Sequence, residues 1–308
     1  MTAGGEPASS SMRSPDPSAT LSVLTWNVRK CRGTDNVRDC GRVAEWIARS
    51  RADVALLSAV QTLDDAEAIR RRLNELDRRR TWSMHYGKAE SEGQVILSTY
   101  AMPPDERAHL VVAVADCGGT AAQIVVESAI DVAGRRVRLF AVDHEHSSEA
   151  VRQCQSQMFR AWADGFDGVR IVGGDFNASP GDAGLDAWLA PRSAGPARFR
   201  DAWVETPPAM QRGYGREDAV RGNAPGEPAF GRTRRTRIDH ILFSGGSIHV
   251  RPMGASMLDT RDPATSCRDV EGDGFLGRCD RDCVCAYVDD KAVRPSDHVP
   301  LMVTLGIS

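Results

Sequence analysis

The chain has 308 residues, 41% of them hydrophobic, and a net charge of −3, enough for one large domain or two small ones around a sizeable core. That balance excludes a global positive field for nucleic acid, so any phosphate contacts must be local. No segment approaches the ~18 consecutive apolar residues that a membrane span requires.

Residues 1–20 are rich in Ser, Pro, Ala and Gly and lack an apolar h-region. They read as a disordered tail, neither signal peptide nor membrane anchor, and a cytoplasmic protein is expected. LSVLTWNV (21–28) is a strand, and DCGRVAEWIARS (39–50) places Val43, Trp46, Ile47 and Ser50 at helical spacing. ADVALLSAV (52–60) is a buried strand. DDAEAIRRRLNELDRRR (64–80) is a helix with an acidic start and Ala66, Ile69, Leu73 and Leu76 on one stripe. Its arginines form a solvated face.

The middle turns to strands: GQVILSTY (93–100), HLVVAVAD (109–116), QIVVESAI (123–130) and RRVRLFAVDH (135–144), separated by Gly, Pro and Asp turn signals. SSEAVRQCQSQMFRAWAD (147–164) is a helix burying Val151, Cys154, Met158 and Trp162, and the strand VRIVGG (169–174) leads into the loop DFNASPGD. RIDHILFS (237–244), SIHVRP (247–252) and VPLMVTLGI (299–307) supply the last strands. The mixture predicts a four-layer α/β sandwich, two mixed sheets packed face to face with helices outside, as one domain over 21–308.

Eight cysteines are present, and Cys267, Cys279, Cys283 and Cys285 crowd into an insertion at about 259–294. Their C-x11-C-x3-C-x-C spacing departs from the paired C-x2-C zinc pattern, which favours disulfides or inert thiols over a structural zinc.

Three loops each follow a strongly apolar strand, where a rigid scaffold presents polar groups: VDHEH (142–146), GGDFNASPGD (173–182) and PSDHVP (295–300). Asp239 in RIDHILFS lies inside an apolar strand and needs a partner. Singly, each has a structural explanation: an Asx turn at Asp175 and Asn177, a satisfied strand-end histidine at His144, a turn cap at Asp297. Their joint occurrence in the same phase points to one site.

Together these segments resemble the endonuclease/exonuclease/phosphatase (DNase I-like) superfamily over roughly residues 21–308. LTWNV is similar to its opening motif, which implies metal or phosphate binding by Asn27; VDHEHSSEAVRQCQ resembles the stretch with the first active-site histidine, here His144, although Asp143 stands where Thr or Ser is usual. GGDFNASP matches the most diagnostic motif, with Asp175 implied as base or water orienter and Asn177 as a phosphate-oriented amide. FRDAW (199–203) also fits, RIDHILFS implies that Asp239 orients the second histidine, and PSDHVPLMVTL gives Asp297 as a metal-side carboxylate and His298 as that histidine. The resemblance implies Mg²⁺ or Mn²⁺ as cofactor.

The chemistry is coherent on its own terms. Phosphoester hydrolysis needs an in-line water, a cation to neutralise oxygens, and donors aimed at developing charge. Asn27 and Asp297 fit part of an oxygen-rich shell. Asp175 fits the base, His298 oriented by Asp239 fits a donor, and His144 fits a second one. GRTRRTRIDH adds Arg232, Arg234, Arg235 and Arg237, of which Arg235 and Arg237 stand nearest Asp239 and suit bidentate phosphate clamping; an exposed basic loop is the competing reading. With aromatics at 6% and none in this run, no single-strand stacking platform is visible.

One position breaks the pattern. The resemblance implies Gln-Glu at the end of ADVALLSAVQ, the Glu as principal magnesium ligand, yet Ser58 and Ala59 stand there. Three explanations stay open. Glu90, Glu92, Glu145, Asp64 or Asp65 replaces the ligand, the chemistry has changed, or the scaffold binds without turnover. The expectation is a metal-dependent phosphoester hydrolase acting on nucleic acid or another phosphodiester. Its alternatives are a protein that only binds a phosphorylated ligand or a partner, and a specialised small-molecule enzyme.

Overall fold

A computed structural model describes residues 19–33, 35–90, 92–191, 198–212, 237–258, 295–296 and 298–308. Asp297, Arg232, Arg234, Arg235 and the insertion at 259–294 lie outside the described residues, as do tail residues 1–18.

In chain order the elements are β1 (Ala19–Asn27), α1 (Cys40–Ser50), β2 (Val54–Val60), α2 (Leu63–Leu76), β3 (Ser83–Lys88), β4 (Gly93–Ser98) and β5 (Ala108–Val112). There follow α3 (Val114–Cys117), β6 (Gln123–Val132), β7 (Arg135–Asp143), α4 (Glu149–Ala163), β8 (Val169–Asp175) and α5 (Ala183–Leu189). The last are β9 (Arg200–Asp201), α6 (Ala202–Glu205), β10 (Gln211–Arg212), β11 (Asp239–Ser244), β12 (Val250–Met257) and β13 (Leu301–Ile307). Among the described residues the strands form two mixed sheets, ordered β10-β12-β13-β1-β2-β4-β3 and β5-β6-β7-β8-β11-β9.

Residues alternate strictly between layers, as the two-residue strand period requires. Leu21 and Val23 of β1, Val54 and Leu56 of β2, Leu139 and Ala141 of β7, and Ile241 and Phe243 of β11 fill the space between the sheets. Their neighbours Leu24, Trp26 and Leu57 pack instead under α1 and α2, against Val43, Ile47, Ile69 and Leu73. On the far side Phe140, Val142 and Val172 meet Phe159, Leu185 and Trp188 of α4 and α5. Each large apolar side chain so buried contributes about 1.5–3 kcal/mol. The four-layer sandwich is therefore present: helices, sheet, sheet, helices.

Several boundaries differ from the sequence expectation; the strand expected at 247–252 lies at Val250–Met257, and the helix expected over 64–80 ends at Leu76. Ala19 and Thr20, expected in the tail, pair with Ile307 and Gly306. The strand expected through residue 116 stops at Val112, because the Asp116 carboxylate accepts the Ala113 amide N–H and starts the short α3. A helix, α5, forms directly after the expected loop, capped by Asp182 accepting from the Gly184 N–H. Cys31 pairs with Cys40 and Cys117 with Cys154. Among the described residues no helix is long and apolar enough to cross a membrane.

Candidate active site

The inward-facing rows of β1, β7, β8 and β11 all end in polar residues at one edge of the inter-sheet layer. Val23 and Thr25 lead to Asn27, Leu139 and Ala141 to Asp143, and Ile171 and Gly173 to Asp175, while Asp239 opens β11 before Ile241. Asp175 is directly paired with Asp143 on the parallel β7 and with Asp239 on the antiparallel β11. Gly174 is required for this approach, since a Cβ there would stand 1.9 Å from the Val142 carbonyl oxygen.

Asp175 is the hub. Its Oδ2 accepts the Asn27 side-chain amide at 3.0 Å, and its Oδ1 accepts the Asn177 backbone N–H at 2.8 Å. His298 Nδ1 donates to Asp239 Oδ2 at 2.8 Å, and its Nε2 lies 3.7 Å from Asp175 Oδ2. The His298 loop is tied to β1 because Trp26 Nε1 donates to the His298 carbonyl at 2.9 Å and Ser296 Oγ to the Asn27 carbonyl at 2.7 Å. Thus Asn27, Asp175, Asp239 and His298 converge.

The other expected site residues stand elsewhere. His144 leaves β7 on the helix side, stacked on Phe176 at 5.1 Å between ring centroids and edge-on to Phe159 and Trp188. Burial in that aromatic box lowers its pKa to about 3. It is a neutral core histidine, not a donor in the cleft. Asn177, at a φ of 48°, spends its side-chain amide on the His144 carbonyl at 2.9 Å, which braces the loop.

Arg237, expected to clamp phosphate, is buried: its Nη2 donates to Asp201 Oδ2 at 2.7 Å and its Nη1 to His240 Nδ1 at 2.6 Å. His240 Nε2 lies 2.8 Å from the Ala178 carbonyl, and its Nδ1 lies 2.9 Å from Asp201 Oδ2. Burial opposes the charge on Asp201, but Arg237 and His240 outweigh it and hold its pKa far below the ordinary range. This arrangement supports the loop behind Asp175 from below.

Ala59 sits at a bulge where β2 and β4 lose register, with a φ of 55°, and offers no ligand atom. Of the residues considered as replacements, Glu145 is committed to Thr120 and Ser147, whose N–H and hydroxyl groups all donate to it; burial pushes its pKa up, but these donors bring it to about 2. Asp65 caps α2 and pairs with Arg38, and Glu90 accepts the Ala122 N–H at 3.4 Å. Glu92 pairs with Lys30 at 2.7 Å near the mouth of the site. Asp143 was not among the candidates. Its alternation with Leu139 and Ala141 along β7 is the sequence signal for it.

Ligand atoms of Asp175, Asp239 and His298 lie within 4.8 Å of one another. Carboxylate oxygens from neighbouring strands with one imidazole suit a hard divalent cation. Asp143, 9% exposed, accepts no hydrogen bond among the described residues, the condition of a carboxylate placed for a cation. The donor set therefore fits a divalent metal.

A sequence profile described as the Endonuclease/Exonuclease/phosphatase family matches residues 24–298. No curated protein sequence matches the chain. Among solved structures, an endonuclease/exonuclease/phosphatase family protein from Bacteroides thetaiotaomicron superposes with a TM-score of 0.65 at 18% identity, over 94% of this chain and 98% of that one. The B. thetaiotaomicron mannosyl-6-phosphatase Bt3783 gives 0.61 at 18% identity, over 92% and 99%. D. rerio TDP2 complexed with single strand DNA product gives 0.61 at 15%, over 93% and 98%.

Proposed function

The chain belongs to the endonuclease/exonuclease/phosphatase family, and from that premise we propose that it is a divalent-metal-dependent phosphoester hydrolase acting on a phosphodiester, nucleic acid included. The observation that carries this reading is the His298–Asp239 pair, 2.8 Å apart, with His298 Nε2 3.7 Å from Asp175 Oδ2. Support also comes from neighbours named for a mannosyl-6-phosphatase and for a complex with a single strand DNA product.

Asp239 fixes the His298 ring orientation, so that Nε2 of the protonated ring can donate to a phosphoryl oxygen as charge builds there. Asp175 accepts the proton of an attacking water, and Asn27 holds its carboxylate in place. Asn177 aligns the other oxygen of the same group through its backbone N–H. The carboxylates of Asp175 and Asp239 would hold a Mg²⁺ or Mn²⁺ ion, which would supply Lewis-acid neutralisation of phosphate oxygens.

The test is turnover of plasmid DNA, single-stranded DNA, RNA, a sugar phosphate and bis(p-nitrophenyl) phosphate in Mg²⁺ and in Mn²⁺. Hydrolysis of at least one, lost in Asp175→Ala and His298→Ala, is expected. Absence of turnover on every substrate in either metal would leave the binding-only alternative in its place.

A further inference from the structure

β7, β8 and β11 deliver Asp143, Asp175 and Asp239 at one level of the same sheet face. Directly opposed residues on neighbouring strands have Cβ atoms roughly 4.5–5.5 Å apart, and like charges so placed repel. Two of the three are compensated. Asp239 accepts from His298 at 2.8 Å, and Asp175 accepts from Asn27 at 3.0 Å and from the Asn177 N–H at 2.8 Å.

Asp143 has no such relief. It is 9% exposed, and among the described residues no donor reaches its carboxylate. A carboxylate buried without a partner is costly unless something absent from the protein's own groups completes its surroundings. Meanwhile Ala59, where a carboxylate is expected, has none to give, and Glu145 is saturated by four donors.

We infer that Asp143 is a ligand of a divalent cation at the ends of β7 and β8, with Asp175 beside it, and so restores on the second sheet the carboxylate that Ala59 removes from the first. This deepens the reading of the site as metal-dependent and rests on it. Glu92, engaged by Lys30 at 2.7 Å and partly exposed, is an outer neighbour.

Binding, not turnover, is the test. The full chain, stripped with EDTA, is titrated with Mn²⁺ while free ion is read by electron paramagnetic resonance, and thermal unfolding is followed with and without Mn²⁺. Asp143→Asn is expected to weaken Mn²⁺ binding more than about 100-fold, beyond the ~10–100-fold cost of losing an outer partner, and to lose the Mn²⁺-dependent rise in Tm. Glu92→Gln is expected to keep both. In EDTA, Asp143→Asn should unfold at or above the wild-type temperature, because a repulsion has been removed; if that variant does not fold, Asp143→Thr serves in its place. Wild-type affinity in Asp143→Asn, or no Mn²⁺ binding by the wild type, would overturn the assignment. A chain that binds Mn²⁺ through Asp143 yet hydrolyses nothing would support it while removing the hydrolase proposal.

Discussion

Asp143 and His144 are adjacent, yet their side chains leave β7 on opposite faces, and this parity puts Asp143 level with Asp175 and His144 among the aromatic rings. His144 joins the aromatic box beneath α4, where burial holds its pKa near 3 against an ordinary value of 6.5. A histidine whose folded pKa is depressed gives its full stability above the unfolded pKa and loses it as pH falls from about 6.5 toward 3. His144→Phe should therefore flatten the stability profile between pH ~4 and ~6 by about one proton, roughly 1.4 kcal/mol per pH unit. Equal slopes for variant and wild type in urea unfolding would refute the buried neutral ring. Arg237 carries a parallel lesson, since its place in RIDH looked like phosphate recognition and the fold uses it to neutralise buried Asp201. Arg237→Ala should cost about 3–5 kcal/mol of stability by leaving that charge unpaired. A variant of wild-type stability with a raised KM would return Arg237 to the substrate.

At the scale of elements, the segment after β1 is the most strained: Arg29, Lys30 and Cys31 all have positive φ, at 46°, 59° and 59°. Each such non-glycine residue costs roughly 1–2 kcal/mol. The Cys31–Cys40 disulfide and the Asp39 cap of α1 hold the segment closed, keeping Lys30 against Glu92 and Asn27 in line with Asp175. Replacing both cysteines by serine should lower stability by about 2–4 kcal/mol and speed amide exchange over residues 29–33. Unchanged exchange there would show that the backbone holds itself. Legibility differed among elements for physical reasons. β2, β6 and β8 announce themselves through unbroken apolar runs, while β3, SMHYGK, has none because its residues are all partly exposed or exposed at the sheet edge. The α5 helix is only seven residues long and depends on Asp182 and on packing of Trp188 more than on its own periodicity.

Across the whole molecule, the four layers were readable because long apolar strands alternate with amphipathic helices, and two sheets must cover each other when helices cover their outer faces. The convergence of Asn27, Asp175, Asp239 and His298 was likewise readable from motifs that end buried strands. Which residues would be spent on support was not, because that depends on partners distant in sequence: Asp201 for Arg237, and Trp188 for His144. The vacancy at Ala59 and the uncompensated Asp143 become one question only when β2 and β7 face each other across the inter-sheet layer.

In the proposed mechanism His298 acts on phosphate in a geometry imposed by Asp239. This is tested most directly by kcat of Asp239→Asn against wild type on the diester turned over fastest, in saturating Mn²⁺. Loss of the orienting carboxylate should lower kcat by about 10²–10⁴-fold with the fold intact. A kcat within twofold of wild type, roughly 0.4 kcal/mol of barrier, would contradict the account.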